Sequence, residues 1–146
     1  MSQLTIRPAR ALRGEQAWID TGLRYGLTAV CAGSAGVHAG LAQPHFLESG
    51  LLGSAFTGAA IALALAALAV RQPRYDSWSI VVVTATLCVI AVSYLLSRST
   101  GIPLLIVAPE HLDPLGTVTT AAELAGAMCG AVLMSRSALR SRKDET

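Results

Sequence analysis

The chain has 146 residues, of which 53% are hydrophobic and 14% charged, and its formal net charge is +2. Soluble domains carry about 25% charged residues, so this composition argues against a soluble protein. The small net charge gives no indication of a nucleic-acid partner. The length allows one domain, and the charges lie in blocks between long uncharged segments, which is typical of a membrane protein.

Four apolar segments follow one another along the chain. Each is near the roughly 20 residues that a helix needs to cross about 30 Å of hydrocarbon. They extend over about residues 21–43, 47–70, 77–97 and 114–136. The third is rich in β-branched residues, but in lipid every backbone polar group must be paired within its segment unless a barrel closes. We therefore predict an all-α membrane protein, with a four-transmembrane-helix bundle over residues 21–139.

The basic residues predict the orientation of this bundle. Ten of the eleven lysines and arginines lie before or in the first turn of the first segment, between the second and third, or at the end of the fourth and after it: Arg7, Arg10, Arg13, Arg24, Arg71, Arg74, Arg136, Arg140, Arg142 and Lys143. Only Arg98 lies in the other two connections. By the positive-inside rule, segments 1–20 and 140–146 are both cytoplasmic, and the protein lies in the plasma (inner) membrane.

An alternative is that the first segment is a signal peptide, cleaved after the small residues Gly40 and Ala42. The long polar segment before it, Arg24 directly beside it and His38 within it all argue against cleavage. The retained span is the prediction that we carry forward.

Small residues recur every four positions in three of the segments. These stripes are Ala32, Gly36 and Gly40; Gly50, Ser54, Gly58, Ala62 and Ala66; and Ala122, Gly126 and Gly130. Small side chains let helix backbones approach closely in lipid. We expect the first two helices to pack tightly as a hairpin. Because Glu123 lies beside the third stripe, we expect its side chain to face protein rather than lipid.

The connection between the third and fourth segments is unusually rich in proline. Residues 97–116 have the sequence SRSTGIPLLIVAPEHLDPLG, with an apolar stretch from Ile102 to Ala108. That stretch is too short to span a membrane and predicts an interfacial or lid-like loop. The dipeptide Asp113-Pro114 predicts the start of the fourth helix, because the carboxylate can accept from free amides and proline fits the first helical position.

Histidines and carboxylates cluster on the outer side of the predicted bundle. The candidates for a metal site are His38, His45, Glu48, Glu110, His111, Asp113 and Glu123. His38 lies about 6 Å inside the outer end of its helix and Glu123 about 9 Å inside its own, so the two should lie at similar depth. Pro44 is expected to end the first helix, so a common face for His38 and His45 is not assumed.

Three interpretations of the His38 and Glu123 pair stay open. They form a structural hydrogen bond between the first and fourth helices, or the floor of a site for a divalent transition metal, or a proton or solute path. The metal interpretation is the most specific and is our working hypothesis, with zinc, copper, iron or manganese equally compatible with imidazole and carboxylate ligands. It rests on residues that are spread along the sequence and expected to meet on the outer side, since no motif such as HExxH is present.

The rival function is a non-catalytic accessory subunit, with partners in a larger membrane complex or in a homo-oligomer besides the lipid bilayer. In that case His38 and Glu123 only stabilise the fold. Enzyme activity is not favoured, because the sequence has no phosphate-binding loop, no GxSxG and no CxxCH.

The three cysteines lie inside the predicted spans without a CxxC pair. Cys31, Cys88 and Cys129 are therefore expected to be small buried residues rather than disulfide partners. A copper(I) or redox site that includes Met128 is the alternative.

Two segments, HAGLAQPHFLESGLLG and LSRSTGIPLLIVAPEHLDPLG, carry a resemblance to a family. With these segments, residues 30–130 resemble small four-span membrane proteins of actinobacteria. The resemblance implies the four-span fold and a polar outer face, and it implies no activity. The segment from Ile102 to Ala108 is more apolar than expected for the corresponding loop, which weakens the idea of a lid rich in ligands.

Overall fold

The computed structural model is all-helical and describes residues 6–72, 76–102, 109 and 111–144, with side chains over 15–72, 78–102, 109 and 111–142. Its four helices are α1 (Ile6–Glu48), α2 (Gly50–Arg71), α3 (Asp76–Ser99) and α4 (Pro114–Asp144). The predicted all-α fold with four helices is thereby confirmed.

Three of these helices, α2, α3 and α4, are long and apolar enough to cross a membrane. Their apolar ranges are Gly50–Arg71, Trp78–Ser99 and Pro114–Arg142. Within the described part of the chain α1 does not reach the same apolarity. The reason lies in its sequence, since glycines, Ser34 and His38 interrupt its apolar stretch. The fold is therefore that of a membrane protein with at least three such helices.

Successive helices pack against each other, and α4 packs against α1 to complete the bundle. One end of the bundle holds Ser49, which joins α1 to α2, and the connection from α3 to α4 with His111. We name this the histidine end. The opposite end, the arginine end, holds Arg71 at the end of α2 and Arg136 near the end of α4.

The hairpin of α1 and α2 turns through a single residue, Ser49. Its backbone is extended at φ −159° and ψ 130°, and its side chain accepts a hydrogen bond from the amide of Leu52 at 3.5 Å. The ring of Phe46 lies directly over Gly53, where any Cβ would clash with it. Glycine at position 53 thus permits the close approach that the sequence predicted for these helices.

Pro44 does not end α1, contrary to our expectation, because the helix continues to Glu48. A proline lacks only its own backbone N–H donor, and the backbone N–H groups of the residues after it can still donate to carbonyls of the preceding turn. The amide of Ser49 still donates to the carbonyl of His45 at 2.9 Å. His38 and His45, seven residues apart, consequently lie on one continuous helix.

The small-residue stripes are only partly buried. Gly126 and Gly130 of α4 lie in the interior as predicted. In contrast, Gly36 of α1 and Gly58 of α2 are exposed, and a Cβ added at either would meet nothing within 4 Å. The predicted role in the hairpin is therefore wrong for the first stripe and for the second as far as Ala62, whereas Ala66 is buried in the core. α1 buries instead a neighbouring face, formed by Leu27, Cys31, Ser34 and Ala35.

The three cysteines are free and differ in burial. Cys31 is buried, Cys129 is half-buried and Cys88 is exposed on the surface of α3. The expectation of small buried residues is confirmed for Cys31 and wrong for Cys88. Cys88 lies outside the buried face of α3, which passes through Ile80, Val83, Leu87 and Ala91 at helical spacing.

An ion cluster joins α1 to α4 at the arginine end. Asp20 accepts from Nε of Arg136 at 2.7 Å and also from Arg140. Partial burial alone would raise the pKa of Asp20, but the hydrogen bonds and positive charges of Arg140 and Arg136 outweigh it and lower that pKa from 3.8. The cluster joins α1 to α4 through Asp20 and Arg136, which are 116 positions apart in sequence.

Candidate functional site

The site begins with a carboxyl group inside the bundle. The Glu123 side chain is 1% exposed, on a face of α4 that also buries Thr120, Gly126, Ala127 and Gly130. These positions recur every three or four residues, so they share one side of the helix. The prediction that Glu123 faces protein is confirmed.

Ser34 of α1 lies opposite this carboxyl group and is itself buried. Its hydroxyl donates a hydrogen bond to Oε1 of Glu123, which links α1 directly to α4. A buried carboxyl group in a bundle requires such a partner, because an unsatisfied polar group in an apolar interior costs several kcal/mol. Ser34 thus satisfies part of the hydrogen-bonding requirement of Glu123.

His38 follows Ser34 by one turn of α1, toward the histidine end. Its Nδ1 lies 2.9 Å from the carbonyl oxygen of Ser34 and 3.4 Å from the hydroxyl oxygen of the same residue. Because a carbonyl oxygen can only accept, the shorter contact requires the proton on Nδ1. In the neutral ring Nε2 then carries the lone pair. We name Glu123, Ser34 and His38 together the polar unit.

The aromatic ring of Phe56 on α2 lies against both histidines of α1. Its centroid is 5.5 Å from that of His38 and 4.1 Å from that of His45. His45 in turn contacts the carboxylate of Glu48, with 3.0 Å between Nδ1 and Oε2. The apolar ring of Phe56 thus lies between the polar unit and the pair formed by His45 and Glu48, and the side chain of Glu48 is 60% exposed at the histidine end.

Toward the arginine end the polar unit meets an apolar layer. Gly126 lies one turn below Glu123, and a Cβ added there would be 2.9 Å from Cγ1 of Val30 and 3.0 Å from Cδ1 of Leu87. Leu27 and Leu63 are completely buried in the same core. The polar unit therefore lies on the histidine-end side of Glu123, whereas apolar side chains close the opposite direction.

Asp113 forms a separate cluster at the start of α4. Its Oδ1 accepts from the amide of Gly116 at 2.6 Å, and its Oδ2 accepts from Nη2 of Arg98 at 2.7 Å. The guanidinium carbon of Arg98 also lies 4.8 Å from the ring centroid of Tyr94. Asp113 thus caps α4, as predicted, and both of its carboxylate oxygens are already engaged in contacts within the protein.

The remaining candidates lie in the connection from α3 to α4. His111 is exposed, and Glu110 lies outside the described residues, as do residues 103–108 of the predicted lid. Among the side chains that the structure describes, no three or more His, Cys, Asp or Glu residues are grouped so that they could hold a metal ion. The described geometry joins His38 to Glu123 through Ser34, and His45 to Glu48, as two separate pairs.

Two members of this site, Ser34 and Phe56, were not predicted from the sequence. Ser34 could have been found, because it lies four residues before His38 and thus on the same helix face. Phe56 carries no comparable signal, since its contact with both histidines depends on how α2 is rotated against α1.

No family model, curated protein or solved structure matches this chain. The resemblance to small four-span proteins of actinobacteria stays a prediction.

Proposed function

We propose that this protein binds and releases a proton at Glu123, with His38 and Ser34 as the route from the outer face. In this proposal the chain crosses the plasma membrane four times, with α1 as the first span. Both chain ends lie in the cytoplasm, and the histidine end faces outward. Support for this orientation comes from the ten basic residues assigned to one side.

The observation that carries the proposal is the contact of a buried carboxyl group with a serine that also contacts a histidine. The Ser34 hydroxyl donates to Oε1 of Glu123, and its oxygen lies 3.4 Å from Nδ1 of His38, whose proton bonds to the nearer carbonyl oxygen of Ser34 at 2.9 Å. Ionisable groups inside membrane bundles commonly form proton relays, since their cost in the hydrocarbon selects against incidental placement.

The proposed step conserves every proton. A proton arriving from outside binds Nε2 of His38, and the Nδ1 proton moves to Oγ of Ser34 as the hydroxyl proton moves to Glu123. The imidazole is then neutral again, with its proton on Nε2, and proton exchange, with loss from Nε2 and gain at Nδ1, restores the first tautomer. The apolar layer of Val30, Leu87 and Gly126 favours a terminal proton-binding site over a continuous channel.

Infrared titration of the purified protein tests this function. The carboxyl band of protonated Glu123 should appear and disappear with pH, and it should be absent from Glu123→Gln. Glu48→Gln is the matched control, because Glu48 is an exposed carboxylate at the histidine end. A Glu123 band that does not change with pH would contradict the proposal and would favour a purely structural role in an accessory subunit.

Metal binding is the second candidate function. It is favoured by the way both histidines of α1 use Nδ1, His38 toward a carbonyl and His45 toward a carboxylate, since metal-binding imidazoles are commonly oriented in this way. Nε2 of each ring is then the atom that would bind a divalent transition metal. The remaining ligands would have to come from other groups, with Glu110 and His111 as the candidates in the loop.

Elemental analysis after detergent extraction tests the metal candidate. We expect a bound metal to be lost in both His38→Ala and His45→Ala if the two rings share it. Less than about a tenth of a metal per chain in the wild-type protein would be too little for a resident site and would contradict this candidate.

A further inference from the structure

A second polar residue of α4 is buried beside Glu123. Thr120 precedes Glu123 by three positions, toward the histidine end, and only 6% of its surface is exposed. Residues three positions apart on a helix share a face, with their Cβ atoms about 5–6 Å apart. The face of α4 that carries Glu123 into the interior therefore carries the hydroxyl group of Thr120 into it as well. The proton route proposed above makes no use of this hydroxyl.

Thr120 differs in its hydrogen bonding from other threonines that the bundle buries. The hydroxyl of a helical threonine ordinarily donates to the backbone carbonyl one turn earlier. The buried or half-buried threonines that do so here, at 2.7 to 2.9 Å, are Thr28, Thr57, Thr84 and Thr119. Among the described residues the hydroxyl of Thr120 has no hydrogen-bond partner, neither Gly116 one turn earlier nor Glu123 one turn later. It is therefore available to a further group in the interior.

The carboxyl group of Glu123 also has an oxygen that is available. Oε1 accepts from Ser34, whereas Oε2 makes no hydrogen bond within the part of the chain that the structure describes. The nearest polar groups of α1 are engaged elsewhere, because the Ser34 hydroxyl donates to Oε1 and Nδ1 of His38 bonds to the carbonyl oxygen of Ser34. A buried polar atom without a hydrogen bond costs free energy, so Oε2 requires a partner in the interior.

Two buried oxygens on adjacent turns have the chemistry of a water site. Buried waters in proteins typically make about two to four hydrogen bonds to polar groups that have no other partner. A water that bridges two oxygens spans about 5.5 Å, twice a hydrogen bond of roughly 2.8 Å, which fits side chains one turn apart. Water can accept from the hydroxyl of Thr120 and donate to the carboxyl group of Glu123, whereas an apolar ligand would satisfy neither.

Polar groups lead from the histidine end toward these two oxygens. The hydroxyl oxygen of Tyr94 lies 3.0 Å from Oγ1 of Thr117 and 3.5 Å from Oδ2 of Asp113, whose side chain is 44% exposed. Thr117 in turn precedes Thr120 by three positions on α4. Water that enters at the histidine end therefore meets hydroxyl and carboxylate oxygens before it meets Thr120.

We propose that one water molecule binds between the hydroxyl of Thr120 and Oε2 of Glu123. The water accepts a hydrogen bond from Thr120 and donates one to Oε2. The carboxyl group is then held on both of its oxygens, by Ser34 of α1 and, through the water, by Thr120 of its own helix. The proposal rests on the burial of Glu123 and not on the exchange of its proton, so this site and the proposed function can fail separately.

Magnetic relaxation dispersion of water oxygen-17, which counts long-lived internal waters, tests this site in the full chain in detergent micelles. We expect Thr120→Val, which keeps the branched shape and removes the hydroxyl, to hold one long-lived water fewer per chain than the wild type. Thr120→Ser should retain that water. Thr119→Val is the matched control, because Thr119 is the neighbouring residue and its hydroxyl donates to the carbonyl of Leu115. Equal water counts in the wild type and Thr120→Val, or an equal loss in Thr119→Val, would overturn the proposal.

A crystal structure of the full chain, grown from a lipid mesophase, locates the water directly. We expect its density within about 3.2 Å of both Oγ1 of Thr120 and Oε2 of Glu123. A direct hydrogen bond between these two side chains would overturn the proposal. The wild-type crystal structure decides the question even if Thr120→Val fails to fold, which circular dichroism checks.

Discussion

The hydroxyl of Ser34 donates to the carboxyl group of Glu123 across 89 positions of sequence, and this bond is a polar link between the first and last helices in the interior of the bundle. Both side chains are at least 95% buried. The bond therefore has a structural consequence whether or not Glu123 exchanges a proton.

Ser34→Ala should lower the free energy of unfolding. The change removes the donor and leaves Glu123 with one partner fewer in the interior, at a cost of about 0.6–1.7 kcal/mol, as for other hydrogen bonds between membrane helices. Ser93→Ala is the control, because the half-buried Ser93 donates to the carbonyl of Val89 within its own helix. Unfolding in mixed micelles, followed by circular dichroism, gives both values, and equal losses would show that the link to Glu123 adds no stability.

Gly130→Ala should destabilise the contact between α3 and α4. A Cβ at position 130 would clash with the hydroxyl of Thr84, and overpacking of this kind costs about 1–3 kcal/mol. Gly36→Ala makes the same chemical change on an open surface, where alanine should be neutral or should stabilise the helix by about 0.5–1 kcal/mol. The same unfolding assay compares them. A larger loss from Gly36→Ala would mean that the glycine face of α1 is covered in the native assembly.

Asp20 should make the free energy of unfolding depend on pH in the acidic range. Its folded pKa lies below the ordinary 3.8, so the contribution of its ion pairs is complete above that pH and is lost as the pH falls through the lower folded value. Asp20→Asn should lower the free energy of unfolding by roughly 1 kcal/mol at neutral pH. In this variant the free energy of unfolding should also decrease less than in the wild type as the pH falls. Glu15→Gln, which changes an exposed carboxylate on the same helix, is the control. Identical pH profiles for Asp20→Asn and the wild type would refute the ionic link to α4.

Two substitutions at Asp113 should separate its cap from its ion pair. Asparagine keeps a cap oxygen for the amide of Gly116 but loses the charge that pairs with Arg98, so Asp113→Asn should cost about 0.2–1 kcal/mol. Asp113→Ala loses both and should cost roughly 1 kcal/mol more. Added salt should lower the free energy of unfolding of the wild type toward that of Asp113→Asn, because salt screens the ion pair and leaves the cap intact. If both variants were equally stable, the capping role would be wrong.

Helix content, the close hairpin, the start of α4 and the inward direction of Glu123 could all be predicted from the sequence. Each depends on local chemistry, such as the apolar length of a segment or the dipeptide Asp113-Pro114. The buried face of α1 was not predictable in the same way, because small residues line one of its faces and Leu27, Cys31 and Ser34 line another. Small residues predict that a close approach is allowed, but they do not show which face a neighbouring helix uses.

The candidate site was predicted in part for a similar reason. Similar depth for His38 and Glu123 follows from counting residues along two helices, and the structure links them through Ser34. A shared face for His38 and His45 was set aside because Pro44 was expected to end the helix. That expectation was wrong, since one missing amide did not outweigh the remaining bonds of α1.

The most direct test of the proton site is the rate at which the Glu123 infrared band responds to a pH jump on one side of oriented membrane vesicles. A jump on the outer side should change the band rapidly in the wild type and much more slowly in His38→Ala and Ser34→Ala, whereas a jump on the cytoplasmic side should have little immediate effect. A band that responds first to the cytoplasmic side, or equally fast in His38→Ala, would contradict the proposed route through His38.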